Sequence, residues 1–346
     1  MTEKIAFIGA GAVGGYVGGH LARAGHDVTL IDPWPEHVAQ MKKCGLHLGG
    51  TQGEFDVQVK ALDISEVQSL GCGIDVAFIC MKLYDTAWAA ALITPYLAPG
   101  GIVVTMQNGL VEEQVAQIAG WGRTLGCIAS TISVEAVAPG RIVRTQMPGG
   151  DAYTVFRVGE MNGLMTPRAQ RVCEFLRAVD SAKVTANLWG ERWSKLAANT
   201  MTTGLSGASG LDLNEVVSYA PARRLQIKLA AEAIRIGTAA GFKLESIRGL
   251  NAAKWLAAAA GDAVALTEVE TAMLNGLKRR PEGGRSGTAQ DLAKGRRTEV
   301  DFMNGYVAEK GDELGVPAPT HAAIAALVRR IERGELNPAR ELLAAL

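Results

Sequence analysis

The chain of 346 residues carries no net charge, because 35 Lys and Arg balance 35 Asp and Glu. No basic excess is present to neutralise nucleic-acid phosphates, and no block of like charge suggests a solvated tail. Aromatic residues are scarce and scattered, at 7 Phe, 6 Tyr and 6 Trp, which excludes a base-stacking platform. Five cysteines (Cys44, Cys72, Cys80, Cys127, Cys173) show no metal-ligand spacing, and five histidines (His20, His26, His37, His47, His321) form no cluster. No metal is expected, and the thiols read as buried and reduced, as in cytosol. No uncharged run is long enough to cross a bilayer; the Ala-rich stretch 252–265 is interrupted by Lys254 and Asp262. Met1-Thr2-Glu3-Lys4 leads straight into an apolar run, so no signal peptide is expected. These absences point to a cytoplasmic protein that binds neither nucleic acid nor membrane.

What is present begins with Lys4-Ile5-Ala6-Phe7-Ile8, a strand-like run that enters Gly9-Ala10-Gly11-Ala12-Val13-Gly14 and then a helical pattern. The next apolar run, Val28-Thr29-Leu30-Ile31, ends on Asp32. Strand, glycine triplet, helix, strand and acid stand in the register of a dinucleotide fingerprint. Gly9 permits the tight turn, Gly11 lets backbone approach a pyrophosphate, and Gly14 allows close helix–strand packing. The N–H groups opening the helix would hold the phosphates. Asp32 is placed to accept hydrogen bonds from the adenosine ribose hydroxyls.

Strands and helices alternate through the first half. A helix is expected over about 12–24 and another around 35–44, with short strands near 46–49 and 55–60. Further strands are expected at 75–80, 102–106, 125–132 and 141–145. This alternation predicts a doubly wound α/β sheet with ligands at the C-terminal strand ends. From Trp189 onward helical spacing takes over, in segments near 189–204, 212–241, 250–277, 286–314 and 319–333. Gly210, the Pro-Glu-Gly-Gly stretch 281–284 and Gly315-Val316-Pro317 mark breaks. The chain therefore reads as an N-terminal Rossmann dinucleotide-binding domain over 1–184 and an all-α substrate domain over 185–346.

Lys82 and Asn108 follow the strands 75–80 and 102–106, on the edge that faces a cofactor crevice. From position alone, Lys82 reads equally as a solvated lysine, and Asn108 as a turn residue before Gly109. In Trp193-Ser194-Lys195-Leu196-Ala197-Ala198-Asn199, Lys195 and Asn199 are four apart on one helical face. A lysine among apolar neighbours either snorkels from a core helix or donates a proton to a ketone oxygen as hydride reaches its carbon. Asp291 and Glu299 are eight apart, two helical turns, and are expected to share a face. Spacing alone does not single out Glu299.

Together these pieces resemble the ketopantoate reductase family. The matching elements run in order over nearly the whole chain: the Gly9–Gly14 turn, Lys82, Gln107-Asn108-Gly109, Lys195-x-x-x-Asn199, Gln290-Asp291, Thr298-Glu299-Val300-Asp301 and Asn304-Gly305-Tyr306. The resemblance implies hydride transfer between a nicotinamide dinucleotide and a small 2-oxo or hydroxy acid. It implies that Lys195 is the general acid, that Glu299 positions the substrate beside the cofactor, and that Lys82 lies in the cofactor cleft. Asn108 and Asn199 would bond substrate or nicotinamide.

The chain departs from that family at three places. Asp32-Pro33-Trp34-Pro35 stands where an arginine commonly receives the 2′-phosphate of NADP, so NAD is expected, with NADP possible if Lys82 or Lys42 compensates. Thr203 replaces a further asparagine, and Ser286-Gly287 replaces a serine pair. With Thr203 and Ser286 as the remaining substrate hydroxyls, a bulkier or less polar substrate than ketopantoate is expected. True pantoate formation is the alternative. A flavin enzyme and a non-catalytic dinucleotide sensor are the other classes, and a homodimer is expected from the apolar helical half.

Overall fold

The computed structural model describes residues 3–277 and 284–346, so most of the 281–284 break lies outside the described residues. The chain divides into two compact units, Met1–Leu188 and Trp189–Leu346.

The first unit opens with β1 (Lys4–Ile8), α1 (Ala12–Arg23), β2 (Asp27–Asp32) and α2 (Pro35–Cys44). β3 (Leu46–Gly50), β4 (Phe55–Val57), β5 (Lys60–Asp63), β6 (Ile74–Ile79), α3 (Thr86–Ile93), β7 (Leu97–Thr105) and α4 (Glu112–Ala119) follow. It closes with β8 (Thr124–Ala129), β9 (Val134–Ala138), β10 (Arg141–Arg144), β11 (Phe156–Gly159), α5 (Pro167–Arg177) and β12 (Ala182–Val184). Eight strands form one sheet in the order β12-β11-β8-β7-β6-β1-β2-β5. All its pairings are parallel except β8 with β11. Side chains alternate between two cores. Phe7, Leu30, Phe78 and Val104 face α1 and α5, while Ile8, Ile31, Ala77 and Val103 face α3 and α4. Phe7 and Phe78, paired across β1 and β6, stack with ring centroids 4.6 Å apart. Strand order reverses at the β1/β6 boundary, and the crevice outside such a switch point is where ligands bind.

The stretch expected as one strand over 55–60 is two, β4 and β5, in different sheets. β4 belongs to a second, four-stranded sheet, β4-β3-β10-β9. Its pairings join residues 46–57 to 134–144, a long-range partnership that local periodicity does not reveal. Beneath it lies a fully buried ion pair, Arg144 Nη2 to Asp180 Oδ2 at 2.5 Å. Burial works to raise the Asp180 carboxyl, but the Ser181 N–H, Arg144 and the Gly149 N–H outweigh it and hold the group below the ordinary carboxylate range.

The second unit is helical among the described residues. It runs α6 (Leu188–Thr200), whose first residue closes the preceding unit, α7 (Thr203–Ser209), α8 (Leu213–Ser218), α9 (Ala220–Ala239), α10 (Ala252–Ala259) and α11 (Ala263–Leu277). α12 (Gly287–Ala293), α13 (Asn304–Leu314), α14 (Pro319–Glu332) and α15 (Glu341–Ala344) follow. Four of the five helical segments expected from periodicity are interrupted, while the fifth, 319–333, is the single helix α14. Asp212, for instance, caps α8 through its bonds to the Asn214 and Glu215 N–H groups, and α9 restarts with Pro221 in its first turn. Cys127 and Cys173 are buried as expected, but Cys44 and Cys72 are exposed. Both exposed thiols sit at chain turns, Cys44 closing α2 and Cys72 between two glycines, where no core covers them. No described helix is long and apolar enough to cross a membrane.

His321 of α14 is fully buried between α9 and α13. Its Nε2 lies 3.0 Å from the Leu229 carbonyl, and its Nδ1 accepts from Asn304 Nδ2 at 3.2 Å. Burial lowers its pKa to about 4, and burial likewise lowers His20 to about 4. The unfolded chain therefore binds protons that the native chain refuses. Stability is full above about pH 6.5 and falls as pH drops toward 4. We expect His321 to remove about 2–3 kcal/mol between pH 7.5 and 4.5. Urea midpoints measured across that range should show the decline, and His321→Gln should flatten it; an equally steep decline in the variant would count against this assignment.

Candidate functional site

The glycine turn lies at the sheet's switch point. Gly9 has φ +97, and a Cβ there would sit 2.8 Å from the Cys80 carbonyl carbon and the Met81 nitrogen, so the backbones of the β1 and β6 ends touch only because residue 9 is glycine. Gly11 opens α1 with no side chain capping it, and a Cβ on Gly11 would meet nothing within 4 Å. A helix start without a side-chain cap, at an open turn, is what an anionic pyrophosphate requires.

Asp32 ends β2 almost wholly buried. Its Oδ2 accepts from the Ala10 N–H at 2.8 Å and its Oδ1 from the Trp34 N–H at 3.0 Å. Burial pushes its carboxyl up, the Trp34 N–H opposes this, and Asp63 adds to the rise. Asp32 thus braces the glycine turn itself, a task that the sequence reading did not assign to it. Asp63 pairs with it across β2 and β5. Lys42, one of the two cations considered as a receiver of a 2′-phosphate, is bound to Glu66 at 2.5 Å.

Lys82 follows β6 and is half-buried, and Asn108 follows β7 and is exposed. Between them Gln107 Nε2 donates to the Met81 carbonyl at 2.9 Å and to Thr86 Oγ1 at 2.9 Å, tying the two loops of the crevice edge together. Residues 9–14, Asp32, Lys82 and Asn108 therefore share one edge of the sheet, as parallel strand ends must.

In the helical unit, Lys195 and Asn199 are one turn apart on α6, both half-buried, beside the fully buried Trp193, Leu196 and Ala197. α6 stops at Thr200, and the chain turns through 201–202 before α7 begins at Thr203. The Thr203 hydroxyl donates to the Asn199 carbonyl at 3.1 Å. Ser286 caps α12, accepting from the Ala289 N–H at 3.1 Å and donating to the Thr203 carbonyl at 3.2 Å. Asn199, Thr203 and Ser286 are thus linked by hydrogen bonds along α6, α7 and the start of α12, with Lys195 one turn before Asn199 on α6. A side chain at Gly287 would meet nothing within 4 Å, so the space of the missing second serine is open.

Glu299 is not on a helical face with Asp291. α12 ends at Ala293 and the chain turns at Gly295, whose φ is +60, so Asp291 is buried within α12 while Glu299 precedes a short 3-10 turn, Val300–Phe302. A turn at Lys294–Gly295 and irregular chain over 296–298 replace the two helical turns that spacing implied. Past this turn Asn304 donates to the Thr200 carbonyl at 3.3 Å, which links the Glu299 segment to the end of α6.

A parallel sheet with a bare glycine turn at its switch point and an acid closing the second strand defines a dinucleotide-binding Rossmann protein, here followed by a helical unit that presents a lysine and an asparagine on one face. Comparison with known proteins narrows the class. The profile described as Ketopantoate reductase PanE/ApbA matches residues 5–156, and that of the Ketopantoate reductase PanE/ApbA C terminal matches 187–332. The chain belongs to the ketopantoate reductase family, whose members are nicotinamide-dependent oxidoreductases.

Among its relatives is a 2-dehydropantoate 2-reductase of Archaeoglobus fulgidus, 26% identical over 334 residues, covering 96% of this chain and 99% of the relative. Another from Mesorhizobium japonicum is 28% identical over 353 residues, with the same coverage of 96% and 99%. The structure of a PanE/ApbA family ketopantoate reductase from Ralstonia eutropha superposes with a TM-score of 0.78 at 28% identity, covering 96% and 99% of the two chains. D-mandelate dehydrogenase, solved with NADH and anilino(oxo)acetate, shares the fold at 21% identity, with a TM-score of 0.79 and coverage of 96% and 99%.

Proposed function

We propose that the protein reduces a small 2-oxo acid, or oxidises the corresponding 2-hydroxy acid, using NADH in preference to NADPH. Lys195 carries this reading: a half-buried lysine, one turn from Asn199, beside the buried Trp193, Leu196 and Ala197. Such a group stabilises the negative charge that develops on a carbonyl oxygen and then gives that oxygen its proton. The bound nicotinamide supplies or accepts the hydride. In the reverse direction neutral Lys195 takes the hydroxyl proton. Glu299 orients the substrate, and the Asn108 and Asn199 amides supply donors to substrate or nicotinamide. Thr203 and Ser286 direct their hydroxyl protons to backbone carbonyls, so they offer the substrate only lone pairs and shape. Residues 9–14 hold the pyrophosphate, and Lys82 serves the cofactor crevice.

NADH is favoured on electrostatic grounds. Asp32 and Asp63 stand side by side where a 2′-phosphate would lie, and Lys42 is already paired with Glu66. The relatives named 2-dehydropantoate 2-reductase support ketopantoate as the substrate. Thr203 and the open space at Gly287 favour instead a 2-oxo acid with a larger, less polar substituent. The reading extends to a cytoplasmic homodimer. Exposed Cys44 and Cys72 suit a reducing compartment, and exposed Val264 and Leu274 on α11 suit an apolar interface.

The test is the initial rate of cofactor oxidation with ketopantoate and with bulkier 2-oxo acids, run in parallel with NADH and NADPH. We expect NADH to give at least a tenfold higher kcat/KM, about 1.4 kcal/mol of discrimination. Equal or better use of NADPH would overturn the Asp32 argument. Fast turnover of ketopantoate alone would assign the pantoate-forming reaction.

A further inference from the structure

The glycine turn is gripped from two sides at one residue. Ala10 is fully buried, and its N–H donates to Asp32. Its carbonyl oxygen lies 3.0 Å from Nε2 of His37, which is itself fully buried on α2. The other ring nitrogen of His37, Nδ1, accepts the N–H of Gly140 at 2.8 Å. A backbone N–H only donates and a carbonyl only accepts, so these two bonds set the tautomer: Nε2 carries the proton and Nδ1 the lone pair.

Orientation follows from the trans peptide, in which the carbonyl of one residue and the N–H of the next point in opposite directions. With the Ala10 oxygen drawn to His37, the Gly11 N–H is turned away from His37, and a Cβ on Gly11 would touch nothing within 4 Å, so the turn is open at this residue. Gly140 holds His37 in place. It forms the tip between β9 and β10 with φ +68, its carbonyl accepts the His47 N–H at 2.8 Å, and a Cβ there would strike Gln40 at 2.5 Å. Trp34 covers the imidazole in a stack, with centroids 5.3 Å apart and planes at 10°.

We propose that His37 is a positioning residue for the dinucleotide. Its Nε2–H locks the Ala10–Gly11 peptide so that the Gly11 N–H is presented to the pyrophosphate, and Gly140 of the second sheet fixes the imidazole that does this. The proposal rests on the dinucleotide reading of residues 9–14 and is independent of Lys195. It gives the second sheet a task, since the β9–β10 tip becomes the outer support of the cofactor turn.

The two bonds of His37 can be separated with isosteres. Gln places an amide nitrogen at the position of Nε2 and retains the donor to Ala10, but loses the acceptor for Gly140. Asn keeps an acceptor at the position of Nδ1 and cannot reach Ala10. The measurement is the Kd for NADH, from nicotinamide fluorescence, in wild type, His37→Gln, His37→Asn and His37→Ala, with melting temperatures alongside. We expect His37→Asn and His37→Ala to weaken NADH at least tenfold and His37→Gln less than threefold, with kcat at saturating NADH within twofold of wild type in every variant that folds. A purely structural histidine would instead make affinity follow melting temperature, with Gln and Asn alike. That outcome, or unchanged Kd in all variants, overturns the proposal. Failure of the wild-type protein to bind either NADH or NADPH would overturn the dinucleotide reading and this proposal with it.

Discussion

Lys195→Ala is expected to lower kcat by about 10²–10⁴-fold, the range spanned by loss of a positioned general acid, while the Kd for NADH stays within twofold of wild type. The separation follows from where the groups lie. The residues proposed to hold the cofactor, Gly9–Gly14 and Asp32, belong to the first compact unit, and Lys195 to the second. Removing the ammonium takes away both the charge that steadies the developing oxyanion and the proton that ends the reduction. The mutation is also structurally mild. Lys195 is only half-buried on α6, and the neighbours that pack the helix, Trp193, Leu196 and Ala197, are untouched. Steady-state rates with the best 2-oxo acid and a fluorescence titration of NADH measure the two quantities separately. A variant that keeps most of its turnover would remove Lys195 from the chemistry. One that loses cofactor affinity in proportion to rate would show that its effect is on binding.

The second large effect concerns stability. Asp180→Ala should cost about 3–5 kcal/mol, because it strands a buried guanidinium without its counter-charge. The Arg144 side chain is 0% exposed and that of Asp180 1%. The same carboxylate also accepts the N–H groups of Gly149 and Ser181, so its loss leaves backbone donors unpaired as well. Replacing both partners, with Arg144→Met and Asp180→Leu, should recover the part of the loss that comes from the unpaired charge and leave the part that comes from the unpaired Gly149 and Ser181 N–H groups. Urea unfolding of the single and double variants gives the comparison. A loss below about 1 kcal/mol for Asp180→Ala would mean that solvent or a rearranged loop satisfies Arg144. Arg144 ends β10 and Asp180 follows α5, so the pair also fastens the second sheet to the segment after α5 within the first unit.

Much of the architecture was legible along the chain. The fingerprint over 4–32, the strands at 75–80 and 102–106 and the helices over 12–24 and 35–44 appear within a residue or two of where periodicity put them, apart from an early start to β7. They are elements whose hydrophobic pattern, length and punctuating glycines agree. Apart from α14, expected at 319–333, the C-terminal helices were legible as helix but not as separate helices. The breaks at 201–202, Tyr219 and 294–299 are made by a threonine turn, a proline restart and a glycine with positive φ, each compatible with a continuing apolar pattern. Glu299 shows the consequence: resemblance singled it out, whereas the helical spacing to Asp291 described a helix that does not exist. His37 shows the converse, because a single histidine in an amphipathic helix has no sequence signature for bonds to residues 27 and 103 positions away.

By itself the sequence determined the ligand class, the strand–turn–helix–strand of the fingerprint, the apolar strands at 75–80 and 102–106 and the helical character of the second half, because those depend on neighbours two to four residues apart. Only the tertiary structure decided that Asp32 braces the glycine turn and that Thr203 and Ser286 spend their protons on backbone. It alone joined residues 46–57 and 134–144 in a second sheet whose tip reaches His37. Those outcomes turn on hydrogen bonds between groups distant in the chain, where each donor takes whichever acceptor the packed backbone brings within about 3 Å.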